Sequence, residues 1–318
     1  MSDLLSGLLA ALISTNTPVA VSNLVQERTG VSMPVVDPND PTEKAYVQLV
    51  EDDDQAQADI AKWADDARAA VAAGNTNAPI GLSGRIRIRL DGVKKEYDDF
   101  LRSHPNHVRA HLAYGSFLHE TGDFDGARAN FEKATELDPA DPAGWNNLGN
   151  LYEHDDIKKS MKCFAKAIEL DPAQSVYYEN LAVCVFMFRT DARELYGISE
   201  TEVFDKALGL YRQAMKLDPE NFVLASDYAE CFYGITPQRY KDGIEAWKHC
   251  LQIAPSEREK QGVYLHLARL SLKLENFVEA ERNLGLVTNA SYLVLKGRIQ
   301  RNLEEAVRHS LTNSTPAR

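Results

Sequence analysis

Four histidines lie close together in the sequence: His104, His107, His111 and His119. Of the residue patterns in this chain, their spacing is the most similar to that of a metal site. His107 and His111 are four positions apart, so on a helix their imidazoles would share one face, as two zinc ligands do. However, His111 occupies a packing position that Trp145 fills further along the chain, and His104 precedes a helix-ending proline. We therefore expect structural and surface roles for these histidines and no metal site.

The acidic run and the cysteines also lack the spacing of a metal site or a catalytic site. Glu51–Asp54 lacks the spaced oxygen ligands and the glycine of a calcium loop, so we predict a solvated helix face there. The four cysteines form no CxxC pair and stand among apolar helical neighbours, which favours small buried side chains. The sequence also has no phosphate-binding glycine loop, no GxSxG elbow and no HExxH motif. These observations predict a non-enzyme with no catalytic residues, no cofactor and no metal.

The charge balance argues against two classes of partner. The 318 residues include 35 Lys and Arg and 47 Asp and Glu, which gives a formal net charge of −12. Nucleic acids and anionic membrane surfaces are bound by clustered cations, which this composition does not favour. Most of the acidity lies in residues 1–80, whereas residues 295–318 carry five bases and two acids. We expect a protein or peptide partner and no nucleic acid.

An apolar stripe lies near the start of the sequence and consists of Leu4, Leu5, Leu8, Leu9, Leu12 and Ile13. It is shorter than the roughly 20 residues that cross a bilayer, so no transmembrane segment is predicted. The first base is Arg28, so the stripe lacks the basic flank of a signal peptide. Its spacing favours a helix that docks on this chain or on a second copy, in a cytoplasmic protein. The alternative is an atypical export signal over residues 1–22, for an exported or periplasmic protein.

A repeated sequence motif marks the ends of the helices that would position a binding site. Leu-Asp-Pro occurs at 137–139, 170–172 and 217–219, and looser versions end at Pro105 and Pro255. The last four of these prolines each follow a helix with a small residue, an aromatic residue four positions on and a small residue three further on, all on one face. The four sets are Ala127, Phe131, Ala134; Ser160, Phe164, Ala167; Ala207, Tyr211, Ala214; and Gly243, Trp247, Cys250. Proline ends each helix because it lacks an amide donor.

A second helix precedes each of these, most clearly in Trp145-x-x-Leu148-Gly149-x-x-Tyr152. Together the two patterns resemble the tetratricopeptide repeat family, whose signature is W-x2-L-G-x2-Y, then A-x3-F, then P. The resemblance implies an all-α, right-handed superhelical solenoid of antiparallel helix pairs. Five units would start near Val108, Pro142, Ser175, Phe222 and Gln261.

The resemblance divides the chain into four parts. We predict an N-terminal apolar helix and linker at 1–33, an acidic helical segment with a degenerate first repeat at 34–107, five repeats at 108–294, and a C-terminal capping helix and tail at 295–318. The interval of 47 residues between Pro172 and Pro219 indicates an insertion near 189–203. It could be an extra turn of helix or a protruding loop, with or without a role in binding.

The segment before the repeats predicts two further helices. Thr42 is a candidate N-cap for a helix from Glu43 to Ala73 that Gly74 closes. Within it, Trp63 and Ala67 would supply the first helix of the degenerate repeat. The strip Arg85–Arg89 alternates like a strand, but its apolar positions continue at helical spacing up to Pro105, so we predict a helix.

The family resemblance implies a concave groove lined by the first helix of each unit. The candidate groove residues are Asn146, Asn147, Asn150, Glu179, Asn180, Val183, Phe186, Met187, Asp227, Glu230, Tyr233 and Arg269, and His266 and Lys273 fall on the same face. Asn147 and Asn180 occupy equivalent positions, so their amides could pair with an extended peptide backbone. Val183, Phe186 and Met187 would receive an apolar side chain, unless they pack against the insertion.

The candidate groove predicts a non-catalytic module that binds an apolar partner segment with basic character. Some family members bind a terminal carboxylate through a clamp of lysine, asparagine and arginine. Asn146, Val223 and Asp227 stand where that clamp needs cations, so the clamp is absent here. The alternative is a scaffold that self-associates through the N-terminal stripe or the insertion, as a homo-oligomer.

Overall fold

A computed structural model describes residues 39–75 and 81–313, and these residues form helices and connecting turns. The chain divides into two compact units, Met1–Leu137 and Asp138–Arg318. The apolar stripe of residues 4–13 lies outside the described residues. The repeats are pairs of antiparallel helices, so the predicted all-α tetratricopeptide-type architecture is confirmed.

Within the described residues, the first unit contains four helices: α1 (Pro41–Ala72), α2 (Leu82–Ser103), α3 (Val108–Glu120) and α4 (Phe124–Leu137). The predicted N-cap of α1 is wrong, because Asp40 and not Thr42 caps it. The Asp40 carboxylate accepts a hydrogen bond from the Thr42 amide at 2.7 Å. Pro41 takes the first helical position, where its missing amide costs nothing.

Helix α1 is buried through its N-terminal half. Tyr46, Leu49 and Ala56 are buried, whereas Trp63 and Ala67 are only half-buried. The Arg85 guanidinium of α2 lies 3.7 Å from the centre of the Trp63 ring. The strip Arg85–Arg89 belongs to α2, as its helical spacing predicted.

The second unit contains ten helices within the described residues. They are α5 (Pro142–Tyr152), α6 (Ile157–Leu170), α7 (Ser175–Met187), α8 (Arg189–Tyr196), α9 (Glu200–Leu217), α10 (Phe222–Glu230), α11 (Tyr240–Ile253), α12 (Glu257–Lys273), α13 (Phe277–Gly285) and α14 (Leu293–Asn313). Four of the five predicted repeat starts coincide with a helix start. The fifth is wrong, because the side chain of Ser256 caps α12 and the helix begins at Glu257.

The small and aromatic positions of the repeats form the packing that their spacing predicted. Phe164 and Tyr211 are buried, and so are the small residues on either side of each ring. Gly149 faces Phe164 so closely that an added Cβ would lie 2.5 Å from the ring. This position needs glycine because the aromatic ring of the paired helix occupies the space of a side chain.

The insertion is an extra helix and not a protruding loop. Helix α8 ends at Gly197, which adopts φ 66°, and Ser199 with Glu202 forms a capping box that starts α9. Ala192 and Val203 are completely buried in one apolar cluster with Phe164 of α6. The insertion is therefore part of the core of this unit.

Two helices of the second unit, α10 and α14, have boundaries that the sequence pattern did not define. The first helix of the fourth repeat stops at Glu230, and a 3-10 turn follows at Cys231–Tyr233. Phe232 of this turn is nevertheless buried, so the apolar spacing is kept while the helix tightens. The capping helix α14 runs from Leu293 to Asn313, whereas the sequence predicted a capping helix and tail at 295–318.

Candidate functional site

The predicted groove residues lie on the first helices of four repeats in the second unit. Helix α5 carries Asn146, Asn147 and Asn150; α7 carries Glu179, Asn180, Val183, Phe186 and Met187; α10 carries Asp227 and Glu230; Tyr233 lies in the following 3-10 turn; and α12 carries Arg269. We call this set the first-helix face. Some of its members already form hydrogen bonds or packing contacts within the protein, and others do not.

The asparagines form a hydrogen-bond network between two repeats. The Asn180 amide donates to the Asn146 Oδ1 at 2.9 Å and, more weakly, to the Asn150 Oδ1 at 3.4 Å. The equivalent residues Asn147 and Asn180 do not pair with each other. Asn147 is half-buried and makes no hydrogen bond with any described residue. The network thus fixes three amides and leaves the Asn147 amide open to a ligand.

Two half-buried carboxyl groups lie on neighbouring first helices, Glu179 on α7 and Asp227 on α10. Burial raises the pKa of Glu179, and the negative charges of Asp227 and Asp218 raise it further. Burial also raises the pKa of Asp227. Neither carboxyl group, nor the exposed Glu230, forms an ion pair with a described residue. Partial burial of uncompensated negative charge is unfavourable, and a bound cation would relieve it.

The apolar members of the face divide into packed and exposed residues. Val183 and Phe186 pack against the buried core, and the Phe186 ring lies 5.9 Å from the ring of Phe204 on α9. Phe186 therefore packs against the helix that follows the insertion. Met187 is 64% exposed and is the apolar side chain of this set that an incoming segment could contact.

The far end of the face is a group of packed aromatic rings with a cation beside one of them. The Tyr233 hydroxyl lies 3.0 Å from Nδ1 of His266, whose ring stacks on Trp247 at 3.9 Å. Burial, assisted by the Arg269 charge, lowers the pKa of His266 to about 4, so the imidazole is neutral at physiological pH. The Arg269 guanidinium is exposed and lies 4.7 Å from the centre of the Tyr233 ring. This cation–π contact orients Arg269.

Two of the four clustered histidines, His107 and His111, have structural roles. The His107 ring accepts a hydrogen bond from the Ala110 amide and caps α3. His111 Nε2 lies 2.9 Å from the Pro105 carbonyl, just as Trp145 Nε1 donates to the Pro139 carbonyl at 2.9 Å. The predicted equivalence of His111 and Trp145 is therefore visible in their hydrogen bonds.

Within residues 39–75 and 81–313, the His, Cys, Asp and Glu side chains form no group of three or more suited to a metal ion. Over the same ranges, the helices lack an apolar stretch long enough to cross a membrane.

Comparisons with known proteins agree with the repeat pattern. A TPR repeat model matches residues 115–156, and a tetratricopeptide repeat model matches residues 142–174. Residues 115–174 of the chain therefore contain tetratricopeptide repeats. The repeats support a role as a protein–protein interaction module.

Several solved structures are similar to this chain at low sequence identity. PilW, described as a widely conserved type IV pilus biogenesis factor, is 17% identical, with 64% of this chain and 86% of that chain covered and a TM-score of 0.49. YrrB, described as a TPR protein with an unusual peptide-binding site, is 14% identical, with 67% and 97% covered and a TM-score of 0.48. MamA is 20% identical, with 55% and 94% covered and a TM-score of 0.43.

Sequence reasoning missed two features of this region. It did not predict that Asn180 bonds to Asn146 and Asn150, because side-chain rotamers decide that choice. It also did not connect Arg298 of α14 with Arg269 and Lys273 of α12, although these residues line one cavity. The excess of bases in residues 295–318 was the available signal for the second feature.

Proposed function

We propose that the first-helix face is a non-catalytic binding site for an extended segment of a partner protein, with basic and apolar side chains. The observation that carries this proposal is the pair of half-buried carboxyl groups, Glu179 and Asp227, without a cationic partner in the described residues. A lysine or arginine of the partner would supply that charge. Charge-assisted hydrogen bonds of this kind are about twice as strong as neutral ones.

The neighbouring asparagines suit the backbone of such a segment. An amide side chain donates and accepts, so it can bond to both polar groups of an extended peptide unit. Asn180 is already engaged and holds Asn146 and Asn150 in place. Asn147 is the amide that would contact the backbone directly, and Met187 on the next repeat would cover an apolar side chain.

The proposal is tested by fluorescence anisotropy with a defined probe. The probe is the peptide Lys-Leu-Lys-Val-Lys-Leu with neutral ends and a neutral fluorophore, titrated with the full chain. The variant Glu179→Gln with Asp227→Asn keeps the shapes of both side chains and removes both charges. The matched control is Glu281→Gln with Asp242→Asn, which removes the same charges at exposed positions of α13 and α11.

We expect the face variant to weaken the Lys-Leu probe about five- to tenfold, which corresponds to about 1 to 1.4 kcal/mol. The control should change the affinity less than twofold. Equal weakening in both variants would show that only the net charge matters and would refute a site at this face.

A further inference from the structure

A cavity of about 930 Å³ lies at the C-terminal end of the second unit, between α12, the start of α13 and α14. It lies beyond the acidic residues of the first-helix face along the chain. Its lining combines bases with apolar side chains, in contrast to the carboxyl groups at Glu179 and Asp227. This difference calls for a ligand of different chemistry.

Three bases line the cavity: Arg269 and Lys273 on α12 and Arg298 on α14. All three are exposed, and none forms an ion pair with a described residue. Glu275 is the one acidic residue of the lining. Because Arg269 is oriented by its contact with the Tyr233 ring, part of this positive charge is fixed before a ligand arrives.

The rest of the lining is apolar and belongs to a formed core. Ile299 is buried, and Leu272, Phe277 and Leu295 pack against the same cluster. These side chains leave an apolar floor beneath the bases, held by the packing of α12, α13 and α14. A bound ion alone would use the charges of such a cavity but not its floor.

We propose that this cavity binds a partner-protein segment in which acidic side chains alternate with apolar ones. The carboxylates would pair with Lys273, Arg298 and Arg269, and the apolar side chains would cover Leu272, Phe277 and Ile299. A nucleic acid fits less well, because the net charge of the chain is −12 and three bases give little counterion release. The assignment goes beyond the proposed function, since it adds a second site of opposite charge on the same unit.

The test uses the peptide Glu-Leu-Glu-Phe-Glu-Leu with neutral ends and a neutral fluorophore, in an anisotropy titration with the full chain. The cavity variant is Lys273→Gln with Arg298→Gln. The matched control is Lys241→Gln with Arg301→Gln, which removes the same charges at exposed positions outside the lining. A second peptide, Glu-Ser-Glu-Ser-Glu-Ser, removes the apolar side chains and keeps the charge.

We expect the cavity variant to weaken the Glu-Leu-Glu-Phe probe about tenfold, the control less than twofold, and the serine peptide to bind at least tenfold more weakly than the probe. Equal affinities of the cavity variant and the control would overturn the proposal. Equal binding of the serine peptide would overturn it as well, because the apolar floor would then have no role.

Two further outcomes separate this proposal from other accounts. If the cavity variant changes the oligomeric state in light scattering and leaves the affinity for the probe unchanged, the occupant is a second copy and the proposal fails. Binding of the Lys-Leu probe at Glu179 and Asp227 is measured in parallel. Its loss in the face variant, without any effect of the cavity variant on the acidic probe, would refute the cavity alone and leave the proposed function standing.

Discussion

The middle of the first-helix face and the C-terminal cavity are built on the same kind of helix pair, yet they differ in charge and in how that charge is held. In the middle, Glu179 and Asp227 are half-buried, and burial opposes their ionisation. At the end, Arg269, Lys273 and Arg298 are exposed, so water solvates their charges. Ligand binding in the middle would therefore relieve an existing cost, whereas binding at the end must displace water from well-solvated cations.

The largest effect is expected from a change that disrupts the packing beneath the middle of the face alone. In Gly149→Ala the new methyl would meet the buried Phe164 ring at 2.5 Å, and overpacking of this kind costs about 1–3 kcal/mol. Urea denaturation measures the free energy of unfolding of the variant. The variant should also bind the Lys-Leu probe more weakly while the Glu-Leu-Glu-Phe probe is less affected, because repeats contact mainly their neighbours.

The matched control for this change is Gly209→Ala in helix α9. An added Cβ there meets only the tip of the Arg212 side chain at 3.9 Å. Alanine in a helix interior is favoured over glycine by about 0.5–1 kcal/mol, so this variant should be more stable than the parent. A loss of stability in both variants would show that the Phe164 contact is not the cause.

The pH dependence of the two sites should differ because only the middle relies on carboxyl groups of raised pKa. Glu179 and Asp227 are ionised above their raised pKa values and become neutral as the pH falls through them. Affinity for the Lys-Leu probe should be full at neutral pH and should be lost on acidification, beginning at a higher pH than ordinary carboxyl groups would give. Titrations at successive pH values check this, and an unchanged profile in Glu179→Gln with Asp227→Asn would contradict it.

In the free protein, the charged form of Glu179 should lower the free energy of unfolding, although the same charge favours binding of the Lys-Leu probe. A carboxyl group whose pKa is raised by folding destabilises the folded state above that pKa, where it is charged. Glu179→Gln should therefore slightly increase the free energy of unfolding at neutral pH, while it weakens the Lys-Leu probe. Urea denaturation with and without the probe measures both effects, and a less stable variant would show that Glu179 has a structural partner.

A smaller effect is expected from single asparagines. Asn147→Ala removes an amide without a partner among the described residues, so it should weaken the Lys-Leu probe by about 0.5–1.5 kcal/mol and leave stability unchanged. Asn180→Ala should lower both affinity and stability, since Asn146 and Asn150 lose their donor. Thermal melts beside anisotropy distinguish the two variants, and identical behaviour would contradict the division of roles.

The smallest effect should come from salt. Both probes bind through charge, so raising the salt concentration should weaken each, but the exposed bases of the cavity should lose more than the half-buried carboxyl groups. Anisotropy at several salt concentrations gives the two slopes. A steeper slope for the Lys-Leu probe would reverse the comparison between the two sites.

The spacing of small, aromatic and proline residues predicted most of the fold because it repeats four times. The repeat starts at Val108, Pro142, Ser175 and Phe222 follow directly from it. The start of α12 could not be predicted in this way, because Ser256 caps the helix earlier than the family spacing implies. The early end of α10 could not be predicted from the apolar spacing either, because Phe232 keeps its apolar position in the 3-10 turn.

The candidate site was predictable in its composition but not in its contacts. Family geometry assigned the residues to the first helices, and the structure has them on those helices or the adjoining turn. It could not reveal that Phe186 packs near Phe204, because that contact depends on where the insertion directs α9. The cavity joins residues about 25 positions apart through the packing of α14 on α12, which no local pattern encodes.

The central claim is that a basic, extended segment binds along the first helices of the second unit, and photo-crosslinking with mass spectrometry tests it most directly. The Lys-Leu probe would carry a photoreactive phenylalanine analogue in place of its valine, with the unlabelled peptide as competitor. The account predicts cross-links within α5, α7 and α10 that the competitor removes. Cross-links confined to the second helices α6, α9 and α11 would contradict it.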